Sequence, residues 1–190
     1  MNKETNTDSS QEEEKSQARL DYEQGQEFMS NGDLSLAANA FHNALLGFQN
    51  ENDQHGIANA ADKLGDICRE RKEYDKALDH YDTTYRICEA DFDRYSLFSI
   101  EKKRAAVARE MKKYDEAIQM YLDILDEYNG QNNPQGSVDT METMAEIYLE
   151  MGDRTRAADA YRVIASIHKN FNHPNFAERF LKKAEETEAG

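Results

Sequence analysis

The nine residues EYDKALDHY at positions 73–81 return almost unchanged as KYDEAIQMY at 113–121, forty positions later. Stepping by the same interval from the final tyrosine gives Phe41, Tyr81, Tyr121 and Tyr161, an aromatic residue at every step. Four residues before each stands Ala37, Ala77, Ala117 and Ala157, and that spacing sets both columns on one helical face. Upstream, Gly25, Gly65, Ala105 and Ala145 form a small-residue column that lets a first helix approach a second closely, with Phe28, Cys68, Ala108 and Tyr148 three residues further on the same face. A long fixed period of this kind is the mark of stacked copies of one supersecondary unit, here a helical hairpin.

The polar stretches SNGDLSLA (30–37), ERKEYDKA (70–77), EMKKYDEA (110–117) and EMGDRTRA (150–157) read as short turns inside the hairpins, the kind that join antiparallel neighbours. Longer links, NENDQHGIA, EADFDRYSLF, GQNNPQGSV and NFNHPNFA, are expected between hairpins. Both prolines fall there, Pro134 and Pro174, at first helical positions where a missing N–H costs nothing, and Asn133 is a natural N-cap. First helices are expected near 18–31, 56–71, 96–111 and 135–151, and second helices near 34–49, 74–90, 114–129 and 154–169. The repeats then span about 18–50, 56–91, 96–130 and 135–170 of one domain over 16–190. A last helix at 174–187 carries Phe176, Phe180 and Ala184 beside Ala177 and Leu181, an apolar stripe suited to covering the open end of a solenoid.

The chain has 38 acidic and 23 basic residues, a formal charge of −15, so affinity for a nucleic-acid backbone or an anionic membrane is not expected. No apolar run reaches the ~20 residues of a membrane helix, and MNKETNTDSSQEEEKSQ has no apolar segment like that of a secretory signal. Residues 1–15, polar and acidic, are expected to be a disordered tail. Cys68 and Cys88 form no CxxC or His–Cys pattern, which points to a reduced, cytoplasmic setting.

These columns resemble the tetratricopeptide repeat (TPR): Leu64, Gly65, Cys68, Ala77 and Tyr81 in the second unit, Met144, Ala145, Tyr148, Ala157 and Tyr161 in the fourth, and Gly25, Phe28, Ala37, Phe41 and Ala44 in the first. The resemblance covers residues 18–170 and implies an all-α, right-handed α-solenoid of four hairpins plus a capping helix. The usual TPR period is about 34 residues; forty is similar to the extended class found in cell-polarity adaptors of the Leu-Gly-Asn type and in some bacterial peptide-responsive regulators, with DQHGIA and NPQGSV as its extra link. Forty also suits HEAT-like hairpins, though the small–aromatic columns favour TPR. The large apolar column reads Gln24, Leu64, Arg104, Met144, so packing should weaken in the first and third units.

The resemblance implies a non-catalytic scaffold whose first helices line a concave groove for a peptide or helix of another protein. The candidate groove residues are Tyr22, Gln26 and Met29, then Asp62, Asp66 and Arg69, then Lys102, Lys103 and Arg109, then Glu142 and Glu146. Residues 101–113 hold six bases against two acids, and 139–150 hold four acids and no base. A groove basic in its middle and acidic towards one end would orient a charged partner; solvated faces that pair across neighbouring hairpins are the alternative. Tyr22, Gln26, Lys63, Ser99 and Lys103 do not match the family's carboxylate clamp.

The five histidines show no HExxH or paired spacing, and the glycines fall at turns and in the packing column, so no catalytic residue, metal or cofactor is expected. Three functional readings stand: an adaptor or assembly factor, a regulatory subunit responding to a small peptide or metabolite, and a chain that self-associates through its first hairpin.

Overall fold

The computed structural model describes residues 15–190; the tail expected over residues 1–15 lies, up to residue 14, outside the described residues. Among the described residues there are nine α-helices: α1 (Gln17–Ser30), α2 (Leu34–Glu51), α3 (Gln54–Glu70), α4 (Tyr74–Ala90), α5 (Arg94–Glu110), α6 (Tyr114–Gly130), α7 (Pro134–Glu150), α8 (Arg154–Asn170) and α9 (Pro174–Ala189). Each packs against its sequence neighbours, giving an all-α solenoid.

The long links expected between hairpins are absent. Turns 91–93, 131–133 and 171–173 are as short as turns 31–33, 71–73, 111–113 and 151–153 inside hairpins, and 52–53 is shorter still. The extra length of the forty-residue period goes into helix instead: α3 to α8 are 17 residues each. The reason is capping. Asp53, Asp93 and Asn133 accept hydrogen bonds from the N–H groups of Gly56, Ser96 and Gly136 at 2.9, 3.1 and 2.9 Å, which starts each first helix early.

Every joint has one design, recurring at twenty-residue steps. Gly32, Asn52, Lys72, Phe92, Lys112, Asn132, Gly152 and Asn172 all have positive φ. At Gly32, its N–H donates to the Met29 carbonyl and the Asp33 N–H to that of Phe28, at 3.1 and 2.9 Å, and the other seven joints repeat this pair of bonds. This is the Schellman closure, in which a left-handed residue satisfies the last carbonyls of a helix. Gly and Asn tolerate that conformation, whereas a phenylalanine in it costs about 1–2 kcal/mol, and the Phe92 side chain is 88% exposed, so burial does not offset the cost.

Two sets of small residues set the helix spacing. A Cβ on Gly25 would lie 2.8 Å from the Phe41 ring, and one on Gly65 2.5 Å from the Tyr81 ring, the close approach read from the sequence. A second set joins one hairpin to the next: Phe48 lies on Gly56 and Tyr128 on Gly136, while at the last joint His168 stacks on Phe176 with ring centroids 5.2 Å apart.

The core divides into three clusters: one around Phe41, Phe48 and Leu64, a small central one around Tyr81, Ile100 and Val107, and one around Met144, Ile147, Tyr161 and Phe180. Of the two polar residues in the large apolar column, only Arg104 goes with the weaker packing expected; α1 and α2 pack as closely as any pair of helices despite Gln24. Gln24 is exposed. Arg104 lies half-buried over the Tyr85 ring, 5.3 Å from its centroid, pairs with Asp82 at 3.2 Å, and buries its Nε without a hydrogen-bond partner. In α9, Ala177, Phe180 and Ala184 are buried while Phe176 and Leu181 stay half-exposed, so the covering stripe is narrower than the sequence suggested.

Candidate functional site

Charged side chains reach directly between successive odd-numbered helices, which therefore lie side by side. Lys103 of α5 holds Asp62 and Asp66 of α3 at 2.5 and 2.8 Å. Arg69 of α3 holds Glu110 of α5 at 2.6 Å. Arg109 of α5 holds Glu146 and Glu150 of α7 at 3.0 and 2.6 Å, and Lys183 of α9 reaches Glu142 at 3.9 Å. Arg69–Glu110, Lys103–Asp62 and Arg109–Glu150 each join residues 41 apart, one period plus one.

Two open cavities lie along this row. The first, about 590 Å³, is lined by Met29, Arg69, Lys72, Tyr74 and Glu110 among others. The second, about 450 Å³, is lined by Arg109, Lys112, Tyr114 and Glu150 with Ala106 at its floor. Arg69, Lys72, Tyr74 and Glu110 of one recur forty residues later as Arg109, Lys112, Tyr114 and Glu150 of the other, so the groove repeats its own lining.

Met29, Asp66 and Arg69 of the expected residues line the first cavity and Arg109 the second. Gln26 is exposed on α1, and Asp62, Lys103, Glu142 and Glu146 lie on the same row of helices. Two residues do not belong to the groove. Tyr22 is buried in the N-terminal core, edge-on to Phe41 at 5.3 Å and 6.3 Å from Phe48, and burial raises its hydroxyl pKa above the ordinary value. Lys102 points to another side of α5, over the Phe98 and Tyr128 rings at 4.9 and 5.8 Å, because one residue along a helix turns a side chain by about 100°.

The expected contrast between a basic third unit and an acidic fourth is also altered. Bases of α5 are engaged by carboxylates of α3 and α7, so the two sets neutralise each other across the groove. Each exposed pair contributes roughly 0–1 kcal/mol. One is better shielded: the Tyr81 hydroxyl donates to Asp66 at 2.9 Å beside Lys103, and burial followed by the Asp66 charge pushes the Tyr81 pKa well above the usual tyrosine value.

Glu110, Glu150, Tyr74, Tyr114, Lys72 and Lys112 were missed as groove residues. Their signal was the Arg-Glu dipeptide at 69–70 and again at 109–110, which pairs across the groove once neighbouring helices are offset by 41. Among the described residues no group of three or more His, Cys, Asp or Glu could hold a metal ion, and no helix is long and apolar enough to cross a membrane. Cys68 and Cys88 are buried free thiols whose pKa values burial raises.

The family model described as Soluble NSF attachment protein, SNAP, matches residues 3–133. The chain belongs to the soluble NSF attachment protein family. A tetratricopeptide repeat model matches residues 139–170 of this SNAP-family chain. No curated protein matches it. Among solved structures it is similar to a putative kinesin light chain with nearly identical TPR-like repeats from Podosopora anserina, at 12% identity and a TM-score of 0.72 over 93% of this chain and 90% of the other. It is similar to the apo form of RapI at 13% identity and a TM-score of 0.74, over 91% of this chain and 49% of RapI. It is also similar to a Rap protein complexed with competence and sporulation factor, at 14% identity and a TM-score of 0.62, over 90% and 52% of the two chains. The SNAP-family chain thus spans about half the length of the Rap proteins. At these identities the likeness establishes the fold, a TPR-type solenoid.

Proposed function

We propose that this chain is a non-catalytic protein-interaction module, an adaptor or assembly factor that holds a peptide or helix of a partner protein in the groove along its odd-numbered helices. The observation that carries this reading is the pair of open cavities with the same lining forty residues apart. A solenoid leaves a long surface that its own core does not consume, and here that surface offers the same ion pair and the same tyrosine twice. The family description, an attachment protein, is in keeping with it.

The interlocked charges define what a partner must bring. Arg69, Glu110, Arg109 and Glu150 already satisfy one another, so an entering segment has to offer alternating charges that exchange with them, and gains apolar contact on Met29, Tyr74 and Tyr114. Selectivity therefore rests on charge order more than on net charge.

Affinity capture coupled to cross-linking mass spectrometry, run on the wild type and on Ala106→Arg, tests the proposal. Ala106 is half-buried at the floor of the second cavity, and arginine there fills the groove. The expected result is cross-links from the partner to the odd-numbered helices and loss of capture in the variant. Cross-links confined to even-numbered helices, with capture unaffected by Ala106→Arg, would overturn it.

A further inference from the structure

The eight left-handed joints are occupied by Gly, Asn or Lys at seven positions and by Phe92 at the α4–α5 corner. Phe92 is 88% exposed and Tyr95, three residues on, is 87% exposed; they are the two most exposed large hydrophobic side chains of the molecule among the described residues. An aromatic ring that is both conformationally disfavoured and unburied has no reason in the packing of its own chain, and such outliers collect at interaction sites. Tyrosine and phenylalanine are also the residue types that anchor interfaces.

Beside this corner lies a cavity of about 470 Å³, lined by Arg94, Tyr95, Phe98, Lys102, Glu127 and Tyr128 among others. Its inner wall is the edge-to-face pair Phe98–Tyr128, ring centroids 4.9 Å apart. The Lys102 ammonium sits over both rings, 3.3 Å from the Tyr128 hydroxyl, and among the described residues no carboxylate pairs with it. The other bases on α5 differ: Arg94, Lys103, Arg104 and Arg109 are each in an ion pair. Two rings facing one ammonium leave room for a third, since a cation is held more firmly as more aromatic faces close on it.

Knob and socket are thus neighbours on one edge and complementary in charge. The knob is an aromatic ring beside the exposed Asp91, Asp93 being held as the cap of α5; the socket is aromatic, with the Arg94–Glu127 pair on its wall and Lys102 as its one cation without a carboxylate among the described residues. A patch carrying both halves side by side suits a two-fold contact, in which each copy gives what the other receives. We propose that this corner is a self-docking surface for a second copy of this chain: Phe92 of each copy enters the Phe98–Tyr128 socket of the other and closes the aromatic enclosure of its Lys102, with Asp91 meeting Lys102 of the second copy. Phe92 and Tyr95 from two copies bring four rings, each burying about 150–250 Å². That total falls short of the ~1,600 Å² of a standard interface, which places the contact among weak, transient pairings. The groove is left free, and this inference does not depend on its function.

Sedimentation velocity of the whole chain from about 2 to 200 µM, a range that spans weak association, tests the pairing. The expected result is a concentration-dependent rise from the 21.8 kDa monomer towards a dimer. Phe92→Gly should weaken association by about tenfold or more while raising the melting temperature, because glycine relieves the left-handed joint; this separates loss of docking from loss of fold. Lys102→Met, which keeps the stem on the rings and removes the charge, should weaken it severalfold. A single monomeric species across the range would overturn the proposal. A dimer indifferent to Phe92→Gly, or one lost on Leu36→Asp in the first hairpin instead, would overturn it too.

Discussion

Helices α5 and α7 occupy equivalent places in successive units and have the same length, yet they hold to the solenoid by different means. In α7, Gly136, Ser137, Val138, Thr140, Met141, Met144, Ala145 and Ile147 are buried; in α5 only Ile100, Ala105, Val107 and Ala108 are. The places of Met141 and Met144 are taken in α5 by Glu101 and Arg104. Burial raises the pKa of Glu101, a sign that the charged form is disfavoured there. Part of the apolar contact that α5 lacks is replaced by Lys103 and Arg109 pairs to both sides, which return less than buried side chains do. Identical backbone periodicity therefore does not mean equal cohesion: the fourth unit is closed by its core, the third by charge.

Truncation at matched positions is the severest test of this difference. Ile147→Ala removes a fully buried side chain from the C-terminal cluster and should cost about 2–5 kcal/mol. Val107→Ala, forty residues earlier and equally buried in the small central cluster, should cost about 1–2 kcal/mol, from fewer methyl groups removed. Urea midpoints of the two variants decide it: the loss per carbon removed should be smaller at Val107, and an equal loss per carbon would break the comparison. Hydrogen exchange should agree, with α5 amides exchanging faster than those of α7.

Next in size is a gain. Arg104→Met restores the residue type that stands at Met144 and removes the buried, unpartnered Nε. An unsatisfied buried polar atom costs about 1–3 kcal/mol, and the exposed Asp82 pair lost with it is weak, so the variant should be stabilised by about 1 kcal/mol. A fall in melting temperature would mean that the arginine is better satisfied than its geometry indicates.

Smaller again is the coupling across the groove. A double-mutant cycle on Arg109 and Glu150 should give about 0.2–1 kcal/mol, as for other partly exposed pairs, and should shrink in high salt. The Arg69–Glu110 cycle should give the larger value of the two, since Arg109 keeps Glu146 when Glu150 is removed whereas Arg69 has Glu110 alone; a larger coupling at Arg109 would mean that Glu146 does not share the load.

The least effect is expected from pH. Burial lowers the pKa of His80 on α4 from its ordinary 6.5, with the Asp79 charge opposing. The unfolded chain then takes up the proton before the folded one, so this contribution is present above the unfolded value and is lost as pH falls through the folded one. His80→Gln should flatten the decline in urea midpoint as pH falls below about 6.5, leaving stability at pH 7.5 nearly unchanged.

How much of this was legible beforehand depended on which residues repeat. The Ala–aromatic and Gly/Ala columns specify helix pairs because close packing requires small residues opposite rings, and Gly25, Gly65, Phe41 and Tyr81 meet as expected. The turns between hairpins were read as too long because Asn, Gly and Pro suggest loops: Asn133 as N-cap and Pro134 as a first helical residue hold as expected, but Asp53 and Asp93 are caps of the same kind that were not read as such. Tyr22 and Lys102 were placed in the groove by register alone; whether a side chain at the groove's edge turns inward is decided by what waits there, Phe41 and Phe48 for Tyr22, Phe98 and Tyr128 for Lys102. The charge pattern misled for a related reason. Summed along the chain it makes blocks, but the offset of 41 sets each base opposite an acid of the next unit, and that offset is a property of stacking that no single helix contains.

The uniform joints make the molecule divisible. Removing residues 93–132 would attach Phe92 to Asn133, a left-handed residue to an N-cap, as at every other joint. Forty residues restore the alternation of first and second helices; twenty would reverse it and set two faces of the same kind together. Changes in length are therefore cheap only in whole pairs of helices, and the reach of the groove can be shortened or extended in such steps without any joint being rebuilt.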